Sequence, residues 1–247
     1  MRSSVRATLL TALLGLLLPA GAAAATSPAA GYGSRLEMAL NGGDQAALSA
    51  LVGPQLQERL QNRYERFVGG FPQSSWSVDL LEPMGDGRPR LRVSVVGTGR
   101  SDGLLYRLNA SQTLAVRLEA GVMLEEEVLD ERSLLRSGTA RLPISVRIPG
   151  AVLTGSRYDI DVIVDEPLGP AVLAGGLLEL NETQTGEPGR PAIQLEPLGG
   201  GGLFKRVQAP QQPGVQTWAV MLVHPDGVVT TTGRVRVVSS KAELARY

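Results

Sequence analysis

Five carboxylates crowd into seven positions at Glu125, Glu126, Glu127, Asp130 and Glu131. In an extended chain, alternation sets Glu126 on the same side as Val122, Leu124 and Val128. A carboxylate turned inward among aliphatic neighbours has its ionisation pushed up and can act as a general base. The competing expectation is that a bulge or a sheet edge lets Glu126 reach water, because one carboxylate without a partner makes no mechanism. Gln112 and Tyr106 fall on the even positions of a run that also carries Leu108, Ala110, Leu114, Val116 and Leu118. Together with Glu126 they are the candidate lining of a pocket.

Other residues offer less. Asp159, Asp161, Asp165 and Glu166 carry oxygens that suit calcium. The three aspartates alternate along one strand, however, and that is the pattern of a solvated face. His224 is the single histidine and precedes Pro225 in a turn, so it is expected exposed and far from a Ser–His–carboxylate arrangement. With one His and no Cys, the usual zinc and copper ligand sets cannot be assembled. Arg59, Arg63 and Arg66 line one side of a helical stretch, where they either meet an acidic partner or stay solvated, diluted by Glu58 and Glu65. The run Gly199 to Gly202 lacks the Lys-Ser/Thr of a phosphate loop and reads as a flexible connection. Asn109-Ala110-Ser111 and Asn181-Glu182-Thr183 match the glycosylation sequon, which matters only in a eukaryotic secretory host. No catalytic residue, cofactor or metal site is assigned.

The elements that must position these residues start behind an export signal. Arg2 and Arg6 precede an apolar run from Ala7 to Leu18, and Ala22, Ala24 and Ala25 form a small-residue cleavage region. Cleavage is expected after Ala24 or Ala25, delivering the chain to a periplasm or an equivalent lumen. The apolar run is short for a membrane span, and a retained anchor is the alternative. With 24 basic and 24 acidic residues, the chain lacks the charge of a nucleic-acid binder. Aromatics make up 4% while Gly (30) and Pro (16) are plentiful, a composition suited to aliphatic strands and turns.

Residues 26–33 read as a linker. Ser34 and Asp44 are caps for two short helices, the second over residues 45–52. Pro54 to Phe71 places Leu56, Leu60, Tyr64, Phe67, Val68 and Phe71 on one stripe, with Gly69 and Gly70 as its stop. Strands follow around 76–80, 90–95, 106–118 and 122–135, with Gly97 to Gly103 as a glycine-rich turn and Ala120-Gly121 as a hairpin turn. Further short strands are expected near 141–148, 158–164, 173–180, 193–195, 203–207, 215–223 and 228–238, the first an edge strand because of Pro143.

Helices followed by a curved antiparallel meander over residues 34–138 resemble the nuclear-transport-factor-2-like, cystatin-related α+β fold. That resemblance implies a pocket between helix and sheet, used by some members for isomerase or dehydratase chemistry and by many for binding. Residues 139–240 resemble a bacterial immunoglobulin-like β-sandwich, with Trp218 in the corner-packing role, and residues 241–247 are a tail. The expected fold is therefore an α+β domain followed by an all-β sandwich. The expected function is an exported, non-catalytic protein that binds another envelope protein or polymer. The alternative is a small-ligand binder or isomerase-like enzyme using the pocket under the long helix.

Overall fold

Alternating aliphatic runs punctuated by glycine turns produce a fold that is mostly β, with a few helices and large antiparallel sheets. A computed structural model describes residues 28–101, 103–138, 142–166, 171–181, 193–199, 201–225 and 227–246. The expected export signal, with Ala22, Ala24 and Ala25, lies outside the described residues, as do Glu182 and Thr183 of the second sequon. Among the described residues no helix is long and apolar enough to cross a membrane.

Three helices come first: α1 (Pro28–Gly42), α2 (Gln45–Ala50) and α3 (Pro54–Gly70). Residues 28–33, expected as linker, form the first turns of α1. The cause is Tyr32, whose fully buried ring gives that segment a core anchor. Asp44 caps α2 by accepting the Ala47 N–H at 3.0 Å. Gly69 and Gly70 do not stop α3 in a left-handed turn. They stay helical, and Phe71 closes the helix by donating its N–H to Phe67 O at 2.9 Å, just ahead of Pro72.

The strands β1 (Gln73–Leu81), β2 (Arg90–Ser101), β3 (Leu104–Glu119) and β4 (Val122–Gly138) form a meander. Its longest hairpin turns at Ala120 and Gly121, with φ of 48° and 77°, the double left-handed geometry that matches the twist of two strands. β2 runs on through Gly97 and Gly99 rather than turning there. A Cβ on Gly97 would stand 3.1 Å from Phe71 Cβ, and one on Gly99 would strike the Gly70 carbonyl. These glycines let the end of α3 lie directly on the sheet.

The second half contributes β5 (Ile144–Arg147), β6 (Ala151–Leu153), β7 (Arg157–Val164), β8 (Leu173–Leu180), β9 (Glu196–Leu198), β10 (Gly202–Gln208), β11 (Gly214–His224) and β12 (Gly227–Val238), then a last turn of helix, α4 (Lys241–Leu244). β5 is shorter than residues 141–148, and it does edge its sheet. β9 lies three residues beyond the expected 193–195. β6 was not expected at all; it pairs with β12 in parallel.

Two separate domains were expected, but the two halves share one sheet. β4 pairs with β12 from Ser137↔Val228 to Arg132↔Gly233, giving the order β1-β2-β3-β4-β12-β11-β8-β9. The expected boundary after Gly138 thus falls at the end of a strand whose hydrogen bonds continue into the other half. A second sheet, β10-β7-β5, packs across Ile160, Val162, Val220, Leu222, Val229 and Val235. By alternation, even positions of β3 (Gln112, Leu114, Val116) face the helices, whereas Asn109 and Ser111 lie on the side of Ile144, Val146 and Ile148. Helices and second sheet therefore cover opposite faces, at opposite ends.

The outer edge of β1 is closed by α1. Asn41 receives the Trp76 N–H on Oδ1 and donates Nδ2 to Trp76 O, both at 2.9 Å. Glu37 Oε2 accepts the Val78 N–H at 2.8 Å.

Candidate functional site

Beneath α3 the apolar stripe meets the sheet incompletely. Of the helix's side chains only Leu56 is buried outright. Leu60, Tyr64 and Phe67 are half-buried and form the roof of a cavity of about 200 Å³. Leu36 and Leu40 of α1 and Leu48 of α2 close one side, and Val93, Leu114 and Met123 make the floor. An aromatic wall stands at one end, with Phe67 edge-on to Trp76 at 4.8 Å and Tyr64 at 6.2 Å from Trp76. The Tyr64 hydroxyl donates to Leu40 O at 2.8 Å, and burial raises its ionisation.

The entrance to α3 is fixed by backbone bonds. Gly53 N–H donates to Met123 O at 2.8 Å, Met123 N–H to Leu51 O at 2.9 Å, and Gln55 Nε2 to Leu124 O at 2.7 Å. The helix is thus pinned to the β3–β4 hairpin at its first turn, while its last turns rest on Gly97 and Gly99.

The polar end of the cavity is built from Glu126, Gln112 and Arg63. Two register shifts in the β3–β4 hairpin bracket Glu126, one between Thr113 and Leu114 and one between Arg117 and Leu118. The second slip turns Met123 inward in place of Val122 and Leu124, while Glu126 opposite Val116 and Val128 opposite Leu114 keep facing the helices. Glu126 does not reach water through these bulges: its side chain is 5% exposed. It is also not without a partner. Arg59 Nη2 donates to Oε1 at 2.8 Å, and Arg63 Nη1 stands 3.8 Å from the same oxygen. Arg63 Nη2 donates to Gln112 Oε1 at 3.2 Å.

Arg59 and Arg63 therefore reach round α3 to an acidic partner on the sheet while their side chains stay 57% and 40% exposed, their long stems allowing guanidinium and Cα to lie on different sides. Arg66 does not join them; its Nε donates to Asn62 O within the helix. Gln57 and Gln61, polar by sequence, also line the cavity and hold Ser49 on α2: Gln57 Nε2 donates to Ser49 O at 2.8 Å and Gln61 Nε2 to Ser49 Oγ at 2.6 Å. Helical spacing singled out Arg59 but not the group it meets, and it missed Gln57 and Gln61, because periodicity records where Cβ points, not where a long side chain ends.

Tyr106 is elsewhere. It pairs with Ser137 at the far end of β3, six residues and about 20 Å along the strand from Gln112. Two buried donors near the site, Tyr32 Oη and Trp76 Nε1, have no hydrogen-bond partner among the described residues. Burial, then the charge of Glu126, push the Tyr32 hydroxyl well above its usual range.

The remaining acidic run resolves into separate ion pairs. Glu125 meets Arg117 at 2.7 Å, Glu127 bridges Arg88 and Arg236 at 2.9 Å each, and Asp130 meets Arg132 at 3.2 Å. Asp159 is solvent-exposed and paired with Arg206 at 2.9 Å, and among the described residues no group of three or more His, Asp or Glu is placed to hold a metal ion. His224 is half-buried at the end of β11, opposite Gly227, not exposed in the turn. Gly201 O accepts the Val164 N–H at 2.6 Å and Gly202 opens β10, so the glycine run is partly strand-bound.

In the second half Trp218 is buried and donates Nε1 to Tyr158 Oη at 2.8 Å. The Tyr158 hydroxyl donates to Gln216 Oε1 at 2.9 Å, and Gln216 Nε2 donates to Glu179 Oε1 at 3.0 Å. Burial pushes the Tyr158 hydroxyl up to about 12. Each polar atom of this chain has a partner, which is what a buried network requires.

A family model described as a domain of unknown function (DUF8623) matches residues 139–238, the span from just before β5 to the end of β12. A search of the curated proteins finds none that matches the chain.

Proposed function

We propose that the chain is a non-catalytic binding protein that works after export, in a periplasm or equivalent lumen, and that the cavity under α3 is its ligand site. One observation carries this reading: a hollow of about 200 Å³ with aliphatic and aromatic walls and a polar end made by Glu126, Gln112 and Arg63. Pockets for small molecules have this build, mostly apolar with a few placed polar groups. Binding is favoured over catalysis by how those groups are engaged. Glu126 is held by two guanidiniums and Gln112 by one of the same pair, an arrangement that fixes positions instead of presenting an acid and a base to one reacting atom.

Small-ligand binding stands ahead of the protein or polymer partner expected from the sequence. The three most exposed large apolar side chains, Met38, Val172 and Phe204, come from separate segments of the chain, and surface hydrophobes scattered singly need no partner. The test is a thermal-shift screen of small apolar compounds on the full chain and on Leu60→Phe, which fills the cavity from its roof. A subset of compounds should raise the melting temperature of the native chain and leave Leu60→Phe unmoved. Equal shifts in both proteins, or none in either, would count against the site.

A further inference from the structure

A second hollow, of about 290 Å³, lies where β5 stands off β3, β4 and β12. We infer that it seats an extended, acidic segment of a second protein, which joins the second sheet as a strand beside β5 and sets a carboxylate against Arg107 and Arg136. The seat is independent of the cavity under α3.

β5 is the margin of its sheet, and only one side of its main chain is used. Asp165 N–H donates to Pro143 O at 3.0 Å, and Ser145 and Arg147 stand opposite Ile163 and Asp161. Hydrogen-bonded pairs recur at every second residue of an antiparallel ladder, so Ser145 and Arg147 also turn their main-chain groups toward β7. Those of Ile144 and Val146 point the other way, and among the described residues no strand pairs with them. Pro143 does not block that side, because its ring nitrogen faces β7. Ile144 and Val146 also line the hollow, across from Asn109 and Ser111 of β3 and Arg132 of β4. A free strand margin thus adjoins a hollow with a polar far wall, and such a margin is recognised by another extended main chain. Charge says what that chain carries. Arg132 is paired with Asp130, and Arg234 lies 4.0 Å from Glu131. One step along, on the face of Asn109 and Leu134, Arg107 stands opposite Arg136. Arg107 donates to Gly138 O at 3.1 Å, and among the described residues neither arginine has a carboxylate partner. Burial, then the charge of Arg107, disfavour the Arg136 cation, so an incoming carboxylate relieves a repulsion. A second copy would bring β5 or β10, whose charged residues Arg147, Lys205 and Arg206 are all basic, and would add to it.

The test is a displayed library of random octapeptides selected on the full chain. Enriched peptides should alternate β-branched or aromatic residues with others, carry Asp or Glu, and bind as free peptides in fluorescence anisotropy. Val146→Pro removes an outward N–H and spares the β7 side; it should weaken the best peptide about tenfold. Arg136→Gln should weaken it several-fold and level its advantage over the same peptide with Gln for Glu. N-methylation at alternate positions should abolish binding in one phase and be tolerated in the other, since only one set of N–H groups faces β5. Enrichment of basic or neutral peptides would overturn the charge match. Equal binding to the native chain and Val146→Pro, or N-methylation tolerated in both phases, would overturn the added strand. A dimer in sedimentation that Val146→Pro dissolves would overturn the occupant in favour of a second copy. No enriched peptide at all would overturn the seat, and every one of these results leaves the cavity under α3 standing. Should Val146→Pro not fold, the N-methylated peptides on the native chain decide alone.

Discussion

The half covered by helices and the half covered by the second sheet bury apolar surface to different degrees of completeness. Across the second sheet, Ile160, Val162, Val220, Leu222, Val229, Val235 and Val237 are all exposed by 2% or less, and the polar groups at their margin form a closed chain through Tyr158 and Trp218. Under α3 the helix is half-buried, the space beneath it is hollow, and Tyr32 Oη and Trp76 Nε1 have no partner among the described residues. Helix and sheet surfaces leave gaps that only well-sized side chains fill, and here they are not filled. The core between strands is the more completely buried of the two, although a hollow of about 290 Å³ lies where β5 stands off β3, β4 and β12; the proposed ligand site lies where a helix stands off a sheet.

The contrast predicts unequal responses to the same truncation. Leu222→Ala, at a site 1% exposed, should lose about 2–5 kcal/mol in urea denaturation. Leu60→Ala beside the existing hollow should lose about 1 kcal/mol, since it deletes contacts the cavity has already reduced. Equal losses would break the comparison.

Tyr158→Phe should cost about 1–3 kcal/mol, because it strands the Trp218 N–H and the Gln216 carbonyl in a buried site. It also has a pH signature. The folded hydroxyl ionises at about 12 and the unfolded one near 10, so the unfolded state loses its proton first. Stability of the native chain should hold up to about pH 10 and fall as the pH rises to about 12. Tyr158→Phe should shrink that fall without abolishing it, since Tyr32 and Tyr64 are raised as well. Denaturant midpoints at a series of alkaline pH values read this out.

Leu60→Phe should change stability by less than about 1 kcal/mol, the added ring entering open space, while small apolar ligands lose their site. A large destabilisation would mean that the hollow is not free to be filled. The smallest effect belongs to the hairpin that carries Glu126. Ala120 has a φ of 48°, a conformation that is unfavourable for a residue with a Cβ. Ala120→Gly should stabilise by less than about 1 kcal/mol, the relief being partly offset by the freer unfolded chain, as measured by thermal denaturation.

Much of this was legible in the chain. The 3.6 period of Leu56, Leu60, Tyr64 and Phe67 and the alternation of β3, β11 and β12 are local signals, and local physics reproduces them. Gln112 and Glu126 stood out because each breaks an aliphatic face, and both line the cavity. What was hidden is non-local. β4 and β12 pair across nearly ninety residues of intervening chain, and no spacing within either strand announces the other. The slip at Leu124 re-indexes a face that strict alternation assigns to Val122 and Leu124. Which acidic group Arg59 and Arg63 meet was hidden because a helical wheel stops at Cβ. The linker assignment failed at Tyr32, where one aromatic ring outweighs a run of small residues.

Asn41 and Glu37 occupy the hydrogen-bonding groups that β1 would otherwise offer to a passing extended chain. A long ribbon with a bare margin is a seed for polymerisation. By mimicking a neighbouring peptide unit with one amide side chain, α1 makes the growing end of the sheet a dead end, and the opposite margin is reduced to the three residues of β9. The sheet thereby leaves a second copy of itself little free margin to pair with.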